Sequence, residues 1–558
     1  MPASQLSCPP QLTTLEPAGN FRGVTADTPQ PALVGEFLSW YFDRNPATAS
    51  MLGSLDHDHT LGDFSAAAFE STEREVDAWL GRLTASSPST LDEEIDRDLI
   101  ASVLRGDQLR ASWPEWRRDP SVYTSTALYP LHAAFTYGLR PEPELVDAVI
   151  SRLAEVPAIL AACRANLDPA IASPMIVRRG LDQARTGRAF LTSALPAEVR
   201  DEQLRAKLAE AAEPAARAFD ELVVFLEEFA ERANGDWRMG EKLYSSLLVE
   251  HQVLGYGAGE LHERGKAAYA ELDAELKELA GTPDWHAVMT SLQDDHPPTL
   301  EDMRREYEAE TERARRFLVE HGLVTLPDGE ECRVVPSPTF HRPIVAVASY
   351  MQPPPLTNGR VGHFFVPFTP DGFTAEQVTQ RLRTNARAQL ATISVHEAYP
   401  GHHWHLSWLA AQDRPVRKVF RTPYFSEGWA LYSEKLLREQ GFFTSTAQEL
   451  AHVEARLFRA ARMVVDTALH CGDMSTDEAE AHLVANTALT AGTAAAEVLR
   501  YCAWPTQAPS YLTGALEIDR IRADYVAEQR GTLREFHDTI AGSGALPLGL
   551  ARRAVLGR

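Results

Sequence analysis

Apolar residues recur at three- and four-residue spacing from residue 31 to about 290, with Glu, Arg and Lys filling the other positions. That period is the signature of amphipathic helices. Segments 93–104, 144–166 and 206–233 show it most plainly. Trp113-Pro114, Asp119-Pro120 and Arg140-Pro141-Glu142-Pro143 mark loops between them. Residues 1–30, rich in Pro, Thr and Ala, read as a flexible N-terminal arm. After Pro297-Pro298, Thr299-Leu300-Glu301-Asp302 is a capped helix start, and its helix runs to about His321. The texture then changes. Segments 334–339, 344–350 and 362–368 are β-branched and aromatic runs broken by prolines, which predicts a small mixed sheet within about 330–370. Residues 375–407, 426–440, 446–471, 475–501 and 516–530 return to the helical pattern. The reading is a mostly α chain with an N-terminal helical lobe at 31–295 and a second lobe at 296–558 that holds the sheet.

Composition adds exclusions. The chain has 558 residues, 44% hydrophobic and 24% charged, as in ordinary globular proteins. A formal net charge of −24 argues against nucleic acid or an anionic membrane as partner. No run of 18 apolar residues predicts a membrane span, and the first residues lack a signal-peptide pattern. The five cysteines, at 8, 163, 332, 471 and 502, form no Cys-x-x-Cys pair and read as reduced thiols. These features predict a cytoplasmic protein. Oligomeric state has no signature in the sequence.

The densest chemistry lies in Ser394-Val395-His396-Glu397-Ala398-Tyr399-Pro400-Gly401-His402-His403-Trp404-His405, which holds four of the chain's 18 histidines. A His-Glu pair followed by further histidines is how a zinc hydrolase presents two ligands and a general base. The usual second histidine lies four residues on, one turn along the same face. Here the choices are His402 and His403, six and seven residues on. On a straight helix the first points roughly 120° away and the second sits about 10 Å along. Neither lets two imidazoles reach one ion at about 2.0–2.1 Å. Pro400, however, clashes with the carbonyl of His396, and Gly401 tolerates unusual dihedrals. A broken turn at Tyr399-Pro400-Gly401 therefore brings His402, the preferred ligand, beside His396, with His403 as alternate. A third ligand is expected from the next helix, with Ser426 as its N-cap and Glu427 in its first turn; Glu434, on the same face, is the alternate. Two His, one Glu and an open position make a hydrolytic zinc site.

The run His396-Glu397-Ala398-Tyr399-Pro400-Gly401-His402-His403 resembles the hallmark of a large bacterial family of unknown function. That family is distantly similar to gluzincin zinc metallopeptidases such as carboxypeptidase Taq, thimet oligopeptidase and aminopeptidase N. Ser426-Glu427-Gly428-Trp429-Ala430 resembles the Asn-Glu-Gly-Phe-Ala segment of aminopeptidase N-like enzymes, whose Glu is a zinc ligand. Residues 48–53, 119–123 and 152–167 also resemble the family, so the likeness spans roughly 30–545. It implies a two-lobed helical fold around a deep channel, Zn²⁺ on His396, His402 and Glu427, and Glu397 as general base. It also implies a short peptide or amide substrate and a carboxypeptidase- or dipeptidase-like mode.

Arg462, Asp466 and His470 share one helix face, in a segment that also resembles the family. Asp466 is read as the partner of a ligand histidine, and Arg462 or His470 as the contact for a substrate carboxylate. The Tyr501…Pro505-Thr506-Gln507-Ala508…Tyr511 stretch resembles a family pattern with Gly at the place of Thr506. Tyr511, with Tyr501 behind it, is the candidate phenol for an oxyanion, and Gln507 a substrate contact. His405 stands where the family shows Gln and reads as a polar helix residue. Asp56-His57-Asp58-His59 is a minor candidate for a second metal site. The leading function is a zinc-dependent hydrolase of peptide or amide bonds in short peptides. The alternative is a zinc-dependent tailoring enzyme, an amide hydrolase or lyase, on a small metabolite. A non-catalytic metal-binding protein is disfavoured because Glu397 and every ligand are present.

Overall fold

Capping residues set many helix starts. Thr90 accepts the Glu93 N–H while the Glu93 carboxylate returns to the Thr90 N–H, and Thr374 with Gln377 and Ser475 with Glu478 repeat the device. The computed structural model describes residues 29–557 except 339–341, 343–346, 358 and 473, so nearly all of the expected N-terminal arm lies outside the described residues. The chain opens with α1 (Pro29–Arg44), α2 (Pro46–Met51), α3 (Ala66–Ala85), α4 (Leu91–Ala111), α5 (Ser121–Tyr137), α6 (Glu142–Asn166) and α7 (Pro174–Ala189). It continues with α8 (Leu195–Ala197), α9 (Glu202–Ala230), α10 (Glu241–Ser246), α11 (Ala258–Ala280), α12 (Trp285–Leu292) and α13 (Leu300–His321). Mostly helical architecture is as the periodicity predicts.

The sheet has three strands, β1 (Glu331–Pro336), β2 (Ser349–Met351) and β3 (Val361–Val366), in the order β1-β3-β2. β3 is central, parallel to β1 from Glu331↔Val361 to Pro336↔Val366 and antiparallel to β2 from Ser349↔Phe365. It is the mixed sheet expected. Part of the predicted strand at 344–350 lies outside the described residues.

After the sheet come α14 (Ala375–Thr384), α15 (Arg387–Glu397), α16 (His402–Ala411), α17 (Pro415–Val419), α18 (Pro423–Glu439), α19 (Thr446–Cys471), α20 (Thr476–Asn486), α21 (Ala491–Ala503), α22 (Ser510–Ala527), α23 (Leu533–Gly542) and α24 (Leu548–Leu556). Two predicted helices are thus divided. Residues 375–407 become three pieces, and 475–501 breaks before Thr490, which caps α21. Helix α18 also begins earlier than expected. Its cap is Thr422, not Ser426, and Pro423 holds the first position where no N–H is needed.

Two large cores result. One gathers Val146, Leu153, Leu181 and Phe219 from α6, α7 and α9. The other joins Phe37 of α1 and Leu99 of α4 to Tyr307, Phe364, Val395, Trp404, Trp429, Ile518 and Leu556, so it draws on both sides of position 295. Helices α18 and α22 meet backbone to backbone. A Cβ on Gly428 would stand 2.5 Å from Gly514 Cα, and one on Gly514 only 1.9 Å from Tyr424 O. This contact brings Tyr511 on α22 toward Glu427 on α18.

Candidate metal centre

The site starts from a break in the chain. Helix α15 ends at Glu397, residues 398–401 leave helical geometry with a cis Tyr399–Pro400 peptide, and α16 restarts at His402. The break is closed by its own hydrogen bonds. Gly401 N–H donates to Val395 O at 3.1 Å, Trp404 N–H to Ala398 O at 3.1 Å, and Trp429 Nε1 to Pro400 O at 2.7 Å. Only glycine fits at 401, because a Cβ there would lie 2.0 Å from His396 O and 2.3 Å from Val395 O. Backbone cannot retreat as a side chain tip can, so Gly401→Ala is expected to cost about 3 kcal/mol or more. Denaturant unfolding of the two proteins checks this; a loss below 1 kcal/mol means the turn can open without harm.

The turn delivers the geometry that the six-residue spacing requires. His396 Nε2 lies 3.6 Å and His402 Nε2 3.5 Å from Glu427 Oε2, and the three ligand atoms lie within 4.8 Å of one another. Tetrahedral ligands at about 2.0–2.1 Å from an ion stand about 3.3 Å apart. The gaps are long for hydrogen bonds and right for a shared cation. Among the described residues this is the one group of three such side chains. Burial disfavours a charged His396, yet the Glu427 and Glu434 carboxylates outweigh it and lift its pKa to about 10. Glu427 is pushed up by burial but held well below the carboxylate range by His402 and His396. These groups accommodate a positive charge between them, which is the electrostatics of a cation site.

Glu434, the alternate third ligand, stands outside this cluster. It takes the other side of His396, accepting from Nδ1 at 2.7 Å, and it is 1% exposed. That bond holds a proton on Nδ1 and orients the ring so that Nε2 faces Glu427. His452 Nδ1 stands 3.5 Å behind Glu434 Oε2. His403, the alternate ligand, points away from the cluster. Its Nε2–H donates to Glu330 at 2.7 Å, and its Nδ1 accepts from Tyr350 O–H at 2.9 Å. Tyr399 O–H also donates to Glu330, and Arg315 pairs with it at 3.0 Å. Glu330, 73 residues before His403, thus anchors the turn to the sheet; nothing in its sequence surroundings marks it. Glu397 is half-buried and makes no hydrogen bond among the described residues, although it lies in the field of His396 and His402. Burial pushes its carboxyl up.

The remaining predicted residues divide. Tyr511 lies near enough to feel the Glu427 charge, and burial together with that charge keeps its hydroxyl protonated. Arg462 is 4.8 Å above the Tyr511 ring and gives Nη2 to Glu497 at 3.0 Å, while its buried Nε and Nη1 have no partner. Tyr501 is committed elsewhere, donating to Glu497 at 2.7 Å, and Gln507 accepts from Arg500. Asp466 does not touch a ligand histidine: it accepts from Tyr244 O–H and from Thr506 N–H at 3.2 Å. It thereby holds the 504–511 loop, in which Thr506 sits at φ 72°, the conformation that explains glycine in the resembling pattern. Burial raises the Asp466 pKa to about 7. His470 is a neutral core residue, pushed down to about 4 by burial, with Nε2–H on Tyr501 O at 3.0 Å and Nδ1 on Met239 N–H. His405 is fully buried against Phe425 and Trp429, with neither ring nitrogen partnered. The Asp56–His59 side chains face separate partners: Asp58 pairs with Arg140 at 2.7 Å, His57 with Asp43 and His59 with Ser151.

Comparison with known proteins gives a family and a fold. Two solved structures superpose along nearly their whole length, each with a TM-score of 0.79 and 95% of this chain covered. One is described as a putative lipoprotein of unknown function from Shewanella oneidensis, 21% identical and covered completely. The other is described as a putative lipoprotein from Colwellia psychrerythraea, 17% identical and covered to 98%. No curated protein matches the chain. Residues 46–555 match the model of a family described as a bacterial protein of unknown function, and the chain belongs to that family, DUF885.

Proposed function

We propose that this protein is a zinc-dependent hydrolase that cleaves a peptide or amide bond in short peptides, on a gluzincin-like arrangement of helices. The observation that carries the reading is the spacing of His396, His402 and Glu427 around one point, with Glu434 locking the His396 tautomer. A bound zinc ion would supply Lewis acidity and bring a water's pKa toward 7. Glu397, free of protein partners, takes the proton of the attacking water as the C–O bond forms. It then passes that proton to the leaving nitrogen as the C–N bond breaks. The Tyr511 hydroxyl, kept protonated, donates to the oxygen that gains charge.

Arg462 supports a carboxypeptidase-like mode. Its buried Nε and Nη1 beside Tyr511 have no hydrogen bond among the described residues, and a guanidinium with free donors suits a substrate carboxylate. Arg462→Met is expected to lower kcat/KM about 10²-fold for a peptide with a free C-terminus and to leave its C-terminal amide nearly unchanged. Equal losses on both would remove the assignment. The direct test of the function is to reconstitute the chain with zinc, measure metal by plasma mass spectrometry and incubate it with short peptides. One zinc per chain and release of a terminal residue are expected. Absence of stoichiometric zinc would overturn the reading.

A further inference from the structure

Helix α19 carries two arginines one turn apart, Arg459 and Arg462, that share the Tyr511 ring. Their guanidinium carbons lie 6.0 Å and 4.8 Å from its centroid. Residues three apart on a helix are neighbours on one face. Tyr511 stands in the field of Glu427, and Glu434 in that of Arg459, so both guanidiniums lie beside the His396, His402 and Glu427 cluster.

Their charge exceeds what the protein sets against it. Glu497 pairs with Arg462 Nη2 at 3.0 Å, but the same carboxylate also serves Arg500 Nη2 at 2.8 Å and Tyr501 O–H at 2.7 Å. Arg459 makes no ion pair among the described residues, and its Nη1 goes to Ala455 O, a carbonyl of its own helix, at 3.0 Å. Glu454 feels the Arg459 charge from beyond pairing distance and accepts the Ala488 N–H at 3.1 Å. The buried Nε of Arg459 and the buried Nε and Nη1 of Arg462 have no hydrogen bond among the described residues. Arg462 is 8% exposed and Arg459 half-buried, so water screens both charges weakly. A guanidinium left without a counter-charge in such surroundings is costly, and a ligand that brings carboxylates offsets that cost.

We infer that the residue leaving this site carries two carboxylates, so that the substrate is a peptide or N-acyl compound ending in aspartate or glutamate, with Arg462 on the α-carboxylate and Arg459 on the side-chain carboxylate. The inference rests on the hydrolase reading above and narrows its substrate. An asparagine or glutamine end has the same shape and one charge fewer, and it sets a neutral amide against the open donors of Arg459. A site whose buried polar groups are left unpaired by an isostere rejects that isostere strongly.

Calorimetry on the full chain bearing Glu397→Gln, which keeps the peptides from being consumed, tests this. The probes are glycyl-L-glutamate and glycyl-L-aspartate, each against its neutral counterpart, glycyl-L-glutamine or glycyl-L-asparagine. At least one acidic dipeptide is expected to bind 10-fold or more tightly than its counterpart. Adding Arg459→Met is expected to erase that preference by weakening the acidic dipeptide alone, whereas Arg462→Met weakens acidic and neutral dipeptides alike. A merely structural Arg459 would lower both together. No preference, no binding, or a preference that survives Arg459→Met would overturn the inference. Cleavage rates on the active chain separate it from the hydrolase reading. Neutral dipeptides cleaved as fast as acidic ones would sink the inference and leave the hydrolase standing. Binding that depends on Arg459 without any cleavage would remove the hydrolase and keep the dicarboxylate site.

Discussion

Glu397→Gln is expected to retain one zinc per chain and to lose hydrolysis of short peptides by about 10²–10⁴-fold, the usual contribution of a general base. The substitution keeps the size of a side chain that makes no hydrogen bond among the described residues, so folding has little reason to change. The loss should fall on kcat, because the proton is moved only in the transition state. Zinc content together with single-turnover rates separates the outcomes. A variant that keeps its zinc and its rate would remove Glu397 from the chemistry and return the reaction class to the lyase alternative.

The second large effect concerns who holds the metal. Glu427→Ala and His402→Ala are each expected to abolish stoichiometric zinc, since each removes one of the three proposed ligands. Glu434→Ala is expected to weaken zinc binding about 10–100-fold without abolishing it, because it frees the His396 ring rather than removing a donor. His403→Ala should keep its zinc and lose stability, since Glu330 and Tyr350 would be left buried without their partner. Competition with a chromophoric chelator resolves these four cases. Zinc lost in His403→Ala at full stability would move the ligand assignment by one residue.

Much of this was legible because sequence and chemistry agree locally. Periodicity and caps give helices, and an alternating apolar run between prolines gives strands. The clustering of His396, His402 and Glu427 was legible for a sharper reason: two histidines six apart cannot meet on a straight helix, so Pro400 and Gly401 had to break it. What could not be read is where a buried side chain turns when its partner is distant in sequence. Asp466 shares a helix face with Arg462, yet it faces Tyr244 of α10, 222 residues earlier, and Glu330 meets His403 from the start of β1. Helix periodicity gives a face but not its opposite number. Ser426 fails as a cap for a smaller reason: Thr422-Pro423 offers the start one turn sooner, which moves Glu427 from the first turn to the second.

The large core has a consequence for how the protein is made. Helix α4 is tied to the far end of the chain: Arg553 of α24 pairs with Asp98 at 2.5 Å and with Glu94 at 3.1 Å, the first across 455 residues. At translation rates of about 5–20 residues per second, α4 leaves the ribosome some 20–90 s before its partner exists. Helices α5 to α9 can bury their own core within that wait, and α1 and α4 can pack with α3, but the part of α4 that meets α24 stays uncovered until the last helix arrives. A chain cut before α24 would therefore leave Glu94, Asp98 and the apolar surface around them without their last cover.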